Sequence, residues 1–367
     1  GANSVAGNTV VGESALDAVT TGGNNVAVGL EALTANTSGD GHVSVGRYSL
    51  RANTTGVNNT AIGFNALKAN TTASNNTAVG NEALTANTTG TLNTAVGSAA
   101  LDNNTTGGSN TAMGTNALGV NSTGDDNTAF GKSALSDSTT AIQNTAVGAL
   151  AADAITTGNY NTAVGYNAMS AATTGTFNMA FGNQAMGGGV VTGTRNTACG
   201  NSALYDLTTG SDNVGVGYDA LKDITTGAGN VAIGKDALST VTTLGTHTAV
   251  GYAALKANTT GTNNTALGYN ALLTNTTGSH NIAVGVNPLR LNTTGSNNTA
   301  VGRDCLEANT TASNNTAMGY KALSLNTTGY ENVAIGVESM DANTTGHTNT
   351  AIGFKALEAN NANGNTA

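Results

Sequence analysis

The stretch Gly63-Phe-Asn-Ala-Leu-Lys-Ala-Asn-Thr-Thr-Ala-Ser-Asn-Asn-Thr-Ala-Val79 decides the fold, because Gly80 to Val96 repeats its pattern at once. Working outward, the opening glycine recurs twenty-one times, from Gly12 to Gly353. Nineteen of the twenty intervals are 17 residues, and the one from Gly182 to Gly200 is 18. A fixed short period means stacked copies of one supersecondary unit, each resting on its neighbours. Seventeen residues is too short for a helical hairpin and fits one turn of a β-solenoid. The expected fold is therefore all-β: a parallel β-solenoid (β-roll or β-helix) of about 21 coils, roughly 100 Å long at ~4.8 Å per coil. The whole chain, residues 1–367, is expected to form one continuous rod. The extra residue, at Gly187-Gly188-Gly189, is expected to be a bulge absorbed at a turn.

Within the coil, Asn-Thr-Ala-Val alternates in period two, as a strand does. Thr60 and Ile62 point one way and Ala61 the other. The Ile62 station holds Val28, Val79, Met113, Phe130, Phe181, Leu267 or Met318 elsewhere, and this apolar character suggests a packed position. After the glycine, an Ala such as Ala66 or Ala83 precedes a near-invariant Leu or Met: Leu16, Leu33, Leu67, Leu84, Met169, Met186, Leu272, Met340. This reads as a second strand, with a second corner at Gly56, Gly90, Gly107 or Ala73. Two strands give a flat coil, and a three-sided coil is the alternative.

Seven residues beyond each glycine stands Asn53, Asn70, Asn87 or Asn104, and later Asn258, Asn275, Asn292 and Asn309. Between these blocks the station becomes Ile155, Val190, Leu207, Ile224 and Val241. A solvent-facing side chain has no reason to switch between Asn and aliphatics as a block. The station is read as an internal ladder, or as one facing another chain, with stacked amides in the polar stretches. Each block boundary would leave amides unpaired, at ~1–3 kcal/mol apiece. Inward Asn also cannot carry glycans, although Asn53-Thr-Thr and Asn70-Thr-Thr match the acceptor pattern.

Composition narrows function. Only 9% of residues are charged and 4% aromatic, with no Trp, one Pro and a formal net charge of −9. A thick aromatic core is excluded, and a thin one of Ala, Val, Leu, Asn and Thr is expected. The acidic balance argues against nucleic acid and anionic membranes as partners. No apolar run approaches the ~18 residues of a membrane span. Cys199 and Cys305 are six coils apart, roughly 29 Å, so both read as small buried hydrophobes, not as a bridge.

His42, His247, His280 and His347 are read as loop residues, the first two replacing the Asn before the strand. None clusters at metal-ligand spacing, so no metal or cofactor is expected. Glu31, Glu82, Asp219, Asp236 and Glu338 lie beside the glycine turn and read as solvated rim charges, although adjacent coils could bring Asp219 and Asp236 to glycosidase spacing. An enzyme is not expected. Phe64, Tyr166, Tyr218, Tyr252, Tyr269, Tyr320 and Phe354 each follow the turn glycine and form a candidate surface aromatic stripe. Such a stripe either covers a coil edge or seam, the preferred reading, or adheres to sugars. The pairs Thr54-Thr55, Thr71-Thr72 and Thr88-Thr89 raise ice binding as a lesser alternative. Adjacent residues in a strand face opposite ways, so each face would receive one Thr per coil.

Asn-Thr-Ala-Val-Gly, with the variants Asn3-Ser-Val-Ala-Gly7 and His42-Val-Ser-Val-Gly46, is similar to the Ser-Val-Ala-Ile-Gly signature of trimeric autotransporter adhesin heads. The longer unit, as in Asn263 to Gly278, resembles repeats of phage-tail-fibre-like and bacterial surface fibre proteins. The resemblance spans essentially the whole chain. It implies a parallel β-roll, extracellular, on a cell surface or a virion, often trimeric, serving as an adhesive or spacer shaft. The chain starts mid-unit at Gly1 and Asn3 and stops mid-strand at Asn365 and Ala367, which reads as a processed or partial chain, or as open stacking ends. Uncapped coils stack head to tail into filaments. The expected function is a structural fibre subunit with itself as partner, in a homotrimer or a head-to-tail filament, and with surface glycans or a host receptor as further partners. The rival is an ice- or glycan-binding solenoid.

Overall fold

A computed structural model describes residues 5, 7–359 and 361–367. The chain falls into two compact units, Gly1–Gly187 and Gly188–Ala367, and the division lies in the single 18-residue interval. The first unit carries eleven strands, from β1 (Thr9–Val11) to β11 (Met179–Phe181). The second carries ten, from β12 (Thr197–Cys199) to β21 (Thr350–Ile352). Every strand is three residues long and pairs in parallel with the strand of the next coil in its unit. The register is one coil: Thr60 opposes Thr77, Ala61 opposes Ala78 and Ile62 opposes Val79. Each unit is thus a parallel β-solenoid, with no helix among the described residues.

The alternation along the strand is as expected, but its direction is the reverse. Ala61 is fully buried, whereas Ile62 is 39% exposed and Phe130, at the same station, 52%. The aliphatic station looks outward because the coil is thin. At Gly215, which replaces the central Ala, an added Cβ would come within 2.2 Å of Leu204 Cδ1 of the same coil. A methyl group nearly fills that gap, so larger side chains are left on the outer face. The opposite wall is formed by the Ala and Leu after the turn glycine; Ala66, Leu67, Ala83 and Leu84 are all fully buried. Polar substitutions across the gap answer one another: Ser44 Oγ lies 2.6 Å from Ser49 Oγ. Cys305 Sγ–H donates to the carbonyl of Ala317 at 3.1 Å.

No second strand forms opposite the first among the described residues. Asn65 (φ 57) and Leu67 (φ 51) adopt left-handed backbone, which is incompatible with strand geometry. Coil-to-coil bonding continues regardless. The N–H of Leu67 donates to the carbonyl of Ala83 at 3.0 Å, and that of Asn65 to Arg47 at 3.1 Å. Left-handed Leu costs about 1–2 kcal/mol, comparable to the ~1.5–3 kcal/mol from burying its side chain. Stacking therefore has to supply the remainder.

The glycine ruler has a direct cause. Gly63 sits at φ +138, and a Cβ there would lie 2.2 Å from the carbonyl oxygen of Gly80 in the next coil. Backbones meet too closely at this corner for any side chain, and the constraint recurs at Gly80, Gly97, Gly114 and Gly131 in the coils that follow.

Candidate functional surfaces

Two amide ladders run through the interior. At the first, Asn53, Asn70, Asn87, Asn104, Asn258, Asn275, Asn292 and Asn309 are all fully buried. Asn70 Nδ2 donates to Asn53 Oδ1 at 2.9 Å and to the carbonyl of Ala73, three residues on in its own coil, at 3.0 Å. Asn87 repeats this on Asn70 and Gly90, each at 2.9 Å. The amide groups are committed to internal bonds and are not presented as glycan acceptors.

Ile155, Leu207, Ile224 and Val241 occupy the same inward station. Val190 does not: it is 56% exposed, and Val191 is the buried residue of that coil. The three glycines at 187–189 lengthen the turn after Met186, and the segment from the inward residue to the next corner, Gly193, is one residue shorter. The sequence spacing alone therefore lands one residue early. Where polar and aliphatic stretches meet, Asn121 Oδ1 and Ser138 Oγ are buried without a partner.

The second ladder escaped sequence reasoning. It is the Asn immediately before each strand, such as Asn59, Asn76 and Asn93, fully buried. Asn59 Oδ1 accepts from the backbone N–H of Asn76 at 2.9 Å, and Asn76 Nδ2 donates to the carbonyl of Gly90 at 3.0 Å. The Asn-Asn dipeptide held the signal. Its first member, Asn75, takes the left-handed turn (φ 61), which Asn tolerates better than most residues. Its second member turns inward.

His42 and His247 stand in this buried ladder, not in a loop. His42 Nδ1 accepts from the N–H of Asn59 at 3.1 Å, and Nε2–H donates to the carbonyl of Gly56 at 2.7 Å. The imidazole thus copies the acceptor and donor of the amide it replaces, which requires the neutral ring. Burial lowers the pKa of both rings, that of His247 to about 4.

On the outside, Phe64, Tyr166, Tyr218, Tyr252, Tyr269, Tyr320 and Phe354 are exposed. Tyr252 and Tyr269 stack with centroids 5.3 Å apart, and Lys235 Nζ lies 5.7 and 5.8 Å from the rings of Tyr218 and Tyr252. Elsewhere the column is interrupted, for example by Val286 and Val337. Asp219 has its carboxyl pKa raised, first by burial, and Asp236 forms an ion pair with Lys256 at 3.2 Å.

The hydroxyls of Thr54, Thr71 and Thr88 donate to carbonyls of the next coil at 3.0–3.2 Å, so the first Thr of each pair serves the stack. The outward-facing regular Thr column is the one on the strands, from Thr60 through Thr162 without interruption, flanked in each coil by an apolar residue. Among the described residues, no strand carries a charged residue. Cys199 stands at the outward aliphatic station of its strand, two residues after Thr197, and is exposed, contrary to its reading as a buried hydrophobe. Cys305 is buried, with its thiol pKa pushed up to about 12 by burial. Both are free.

Among the described residues, no three His, Cys, Asp or Glu side chains are grouped to hold a metal ion, and no helix is long and apolar enough to cross a membrane. Gly1 and Asn3 lie outside the described residues. Asn365 and Ala367 extend the stack: the N–H of Thr350 donates to the Asn365 carbonyl, and that of Ile352 to the Ala367 carbonyl, each at 2.8 Å. No protein-family profile matches the chain, and no curated protein matches it.

Proposed function

We propose that this chain is a structural subunit of an extracellular fibre on a cell surface or virion, built by lateral association of solenoids, by head-to-tail stacking, or by both. The observation that carries this reading is the outer strand face. In the first unit eleven consecutive coils present an uncharged column of Val, Ile, Met or Phe, about 50 Å long at ~4.8 Å per coil. Monomeric proteins rarely leave so extended an apolar surface in water, and association removes it. The repetition itself supports the same role, since a repeated coil supplies length and stiffness. Two or three copies of the strand face brought together would give a trimer or a bundle, and glycan or receptor contacts would fall to the exposed aromatics.

Sedimentation and electron microscopy on purified protein test the proposal. Trimers or filaments are expected, with Val79→Asp and Val96→Asp shifting the protein toward monomer. A stable monomer at high concentration, unaltered by those substitutions, would rule the reading out.

The strand Thr column favours a second reading. Thr60 to Thr162 form a regular column of hydroxyl and methyl groups with one Thr per coil, and such a column could order water as an ice-binding face. Thermal hysteresis in a protein that stays monomeric would favour it over the fibre.

A further inference from the structure

The first unit contains only four cationic side chains, and three of them, Arg47, Arg51 and Lys68, gather around one ring. The guanidinium of Arg47 lies 4.5 Å from the Tyr48 centroid, that of Arg51 5.2 Å, and the Lys68 ammonium 5.8 Å. Arg47 also donates to the Tyr48 hydroxyl at 2.8 Å. Each cation is attracted to the ring, but the three repel one another. Only Arg51 has a carboxylate partner, Glu31, at 2.6 Å. Next to this cluster runs a groove of about 560 Å³ that crosses four successive coils, from Thr34 to Thr85, with Ala52 and Ala69 lining it beside Arg51 and Lys68. Its length is roughly 14 Å, or three coil steps of ~4.8 Å.

We propose that this groove binds a carboxylated polysaccharide lying parallel to the coil axis, with sugar carboxylates on Arg51 and Lys68, which line it, and on Arg47, which stands beside it on the Tyr48 ring. The alanines leave room for a chain where longer side chains would block it, and the Thr34 and Thr85 hydroxyls suit sugar hydroxyls at the two ends. Charge selects the ligand class. A site with an excess of positive charge on a chain of net charge −9 attracts an anion locally, while the remainder of the surface repels a dense polyanion. Duplex DNA carries one phosphate per ~1.7 Å of axis, and three cations cannot offset that density. A polyuronate carries at most one carboxylate per sugar and lacks this disadvantage. The site does not depend on the fibre reading: a monomeric protein would retain it.

The experiment is a calorimetric titration of the full chain with a hexameric oligogalacturonate, at low and at physiological salt. Binding that weakens with salt is expected, with Lys68→Gln and Arg47→Gln each lowering affinity about tenfold. Lys132→Gln, which removes the unit's fourth cation, is expected to leave affinity unchanged. Circular dichroism on each variant confirms that the fold is retained. Equal binding of a neutral oligogalactose of the same length would overturn the proposal. So would an equal loss in Lys132→Gln, no binding at low salt, or tighter binding of single-stranded DNA.

Discussion

Asn87 Nδ2 donates to Asn70 Oδ1 at 2.9 Å, and Asn87 Oδ1 in turn accepts from Asn104 Nδ2 at the same distance. Every internal rung is therefore both donor and acceptor, and the ladder is satisfied only as a series. Replacing one rung by Leu leaves Asn70 Oδ1 without a donor and Asn104 Nδ2 short of an acceptor. With ~1–3 kcal/mol for each buried orphan, Asn87→Leu is expected to destabilise by roughly 2–4 kcal/mol. Replacing all of Asn70, Asn87 and Asn104 by Leu creates no more orphans than the single change. It should cost far less than three times as much, a non-additivity that chemical denaturation of the series measures directly.

Ser138 is a flaw at the end of that ladder. Its hydroxyl is buried and unpartnered, with Ile155 above it and Asn121 below. Ser138→Val removes the orphan and supplies the side chain that Val241 carries at the same station. A gain of about 1–2 kcal/mol is expected, read as a higher denaturation midpoint with unchanged slope. Ser138→Asn is expected to give no comparable gain, since it satisfies Asn121 Oδ1 only by moving the unpaired acceptor one coil upward.

The buried imidazoles make stability depend on pH. His247 has a pKa of about 4 in the folded protein against 6.5 for the free side chain, so the unfolded chain takes up the proton first as pH falls. Stability is full above about pH 6.5, declines between there and about pH 4, and levels off below. Over that window the loss is roughly 3–4 kcal/mol. Burial lowers the pKa of His42 as well, with the charge of Asp40 opposing the shift. Protonation of His247 removes the Nδ1 acceptor of the Asn264 N–H, held at 3.3 Å. His247→Asn restores a pH-independent acceptor and is expected to remove this part of the stability loss between pH 6.5 and 4, leaving the contribution of His42.

Leu92 holds the left-handed turn before its strand at φ 63 while 59% exposed, where most coils place Asn or another polar residue. It combines backbone strain with an apolar side chain in water. Leu92→Asn is expected to stabilise by about 0.5–1 kcal/mol. Thermal unfolding would show a raised midpoint, and an unchanged or lowered one would mean that Leu92 has packing value of its own.

The spacing of Gly63 and Gly80 determined the coil length, the parallel register and the solenoid class, because a corner without room for a Cβ must recur once per turn. The block switch from Asn to Ile, Leu and Val likewise marked an inward station, since only burial makes such a switch collective. Three further features were decided by the tertiary structure. Period-two alternation shows that Ala61 and Ile62 face opposite sides, but not which side is inside. That was settled by the narrow gap opposite Leu67, which holds Ala in nearly every coil and leaves no room for an Ile or Val. The inward turn of Asn76 and His42 depended on Asn75 and Gly41 taking a left-handed turn, and the dipeptide by itself does not say which of its two members turns inward. Arg47 and Arg51 lie beside Tyr48 in its own coil, but the arrival of Lys68 at the same ring required the stacking of adjacent coils, because residues 20 apart become neighbours only when the coils lie on one another.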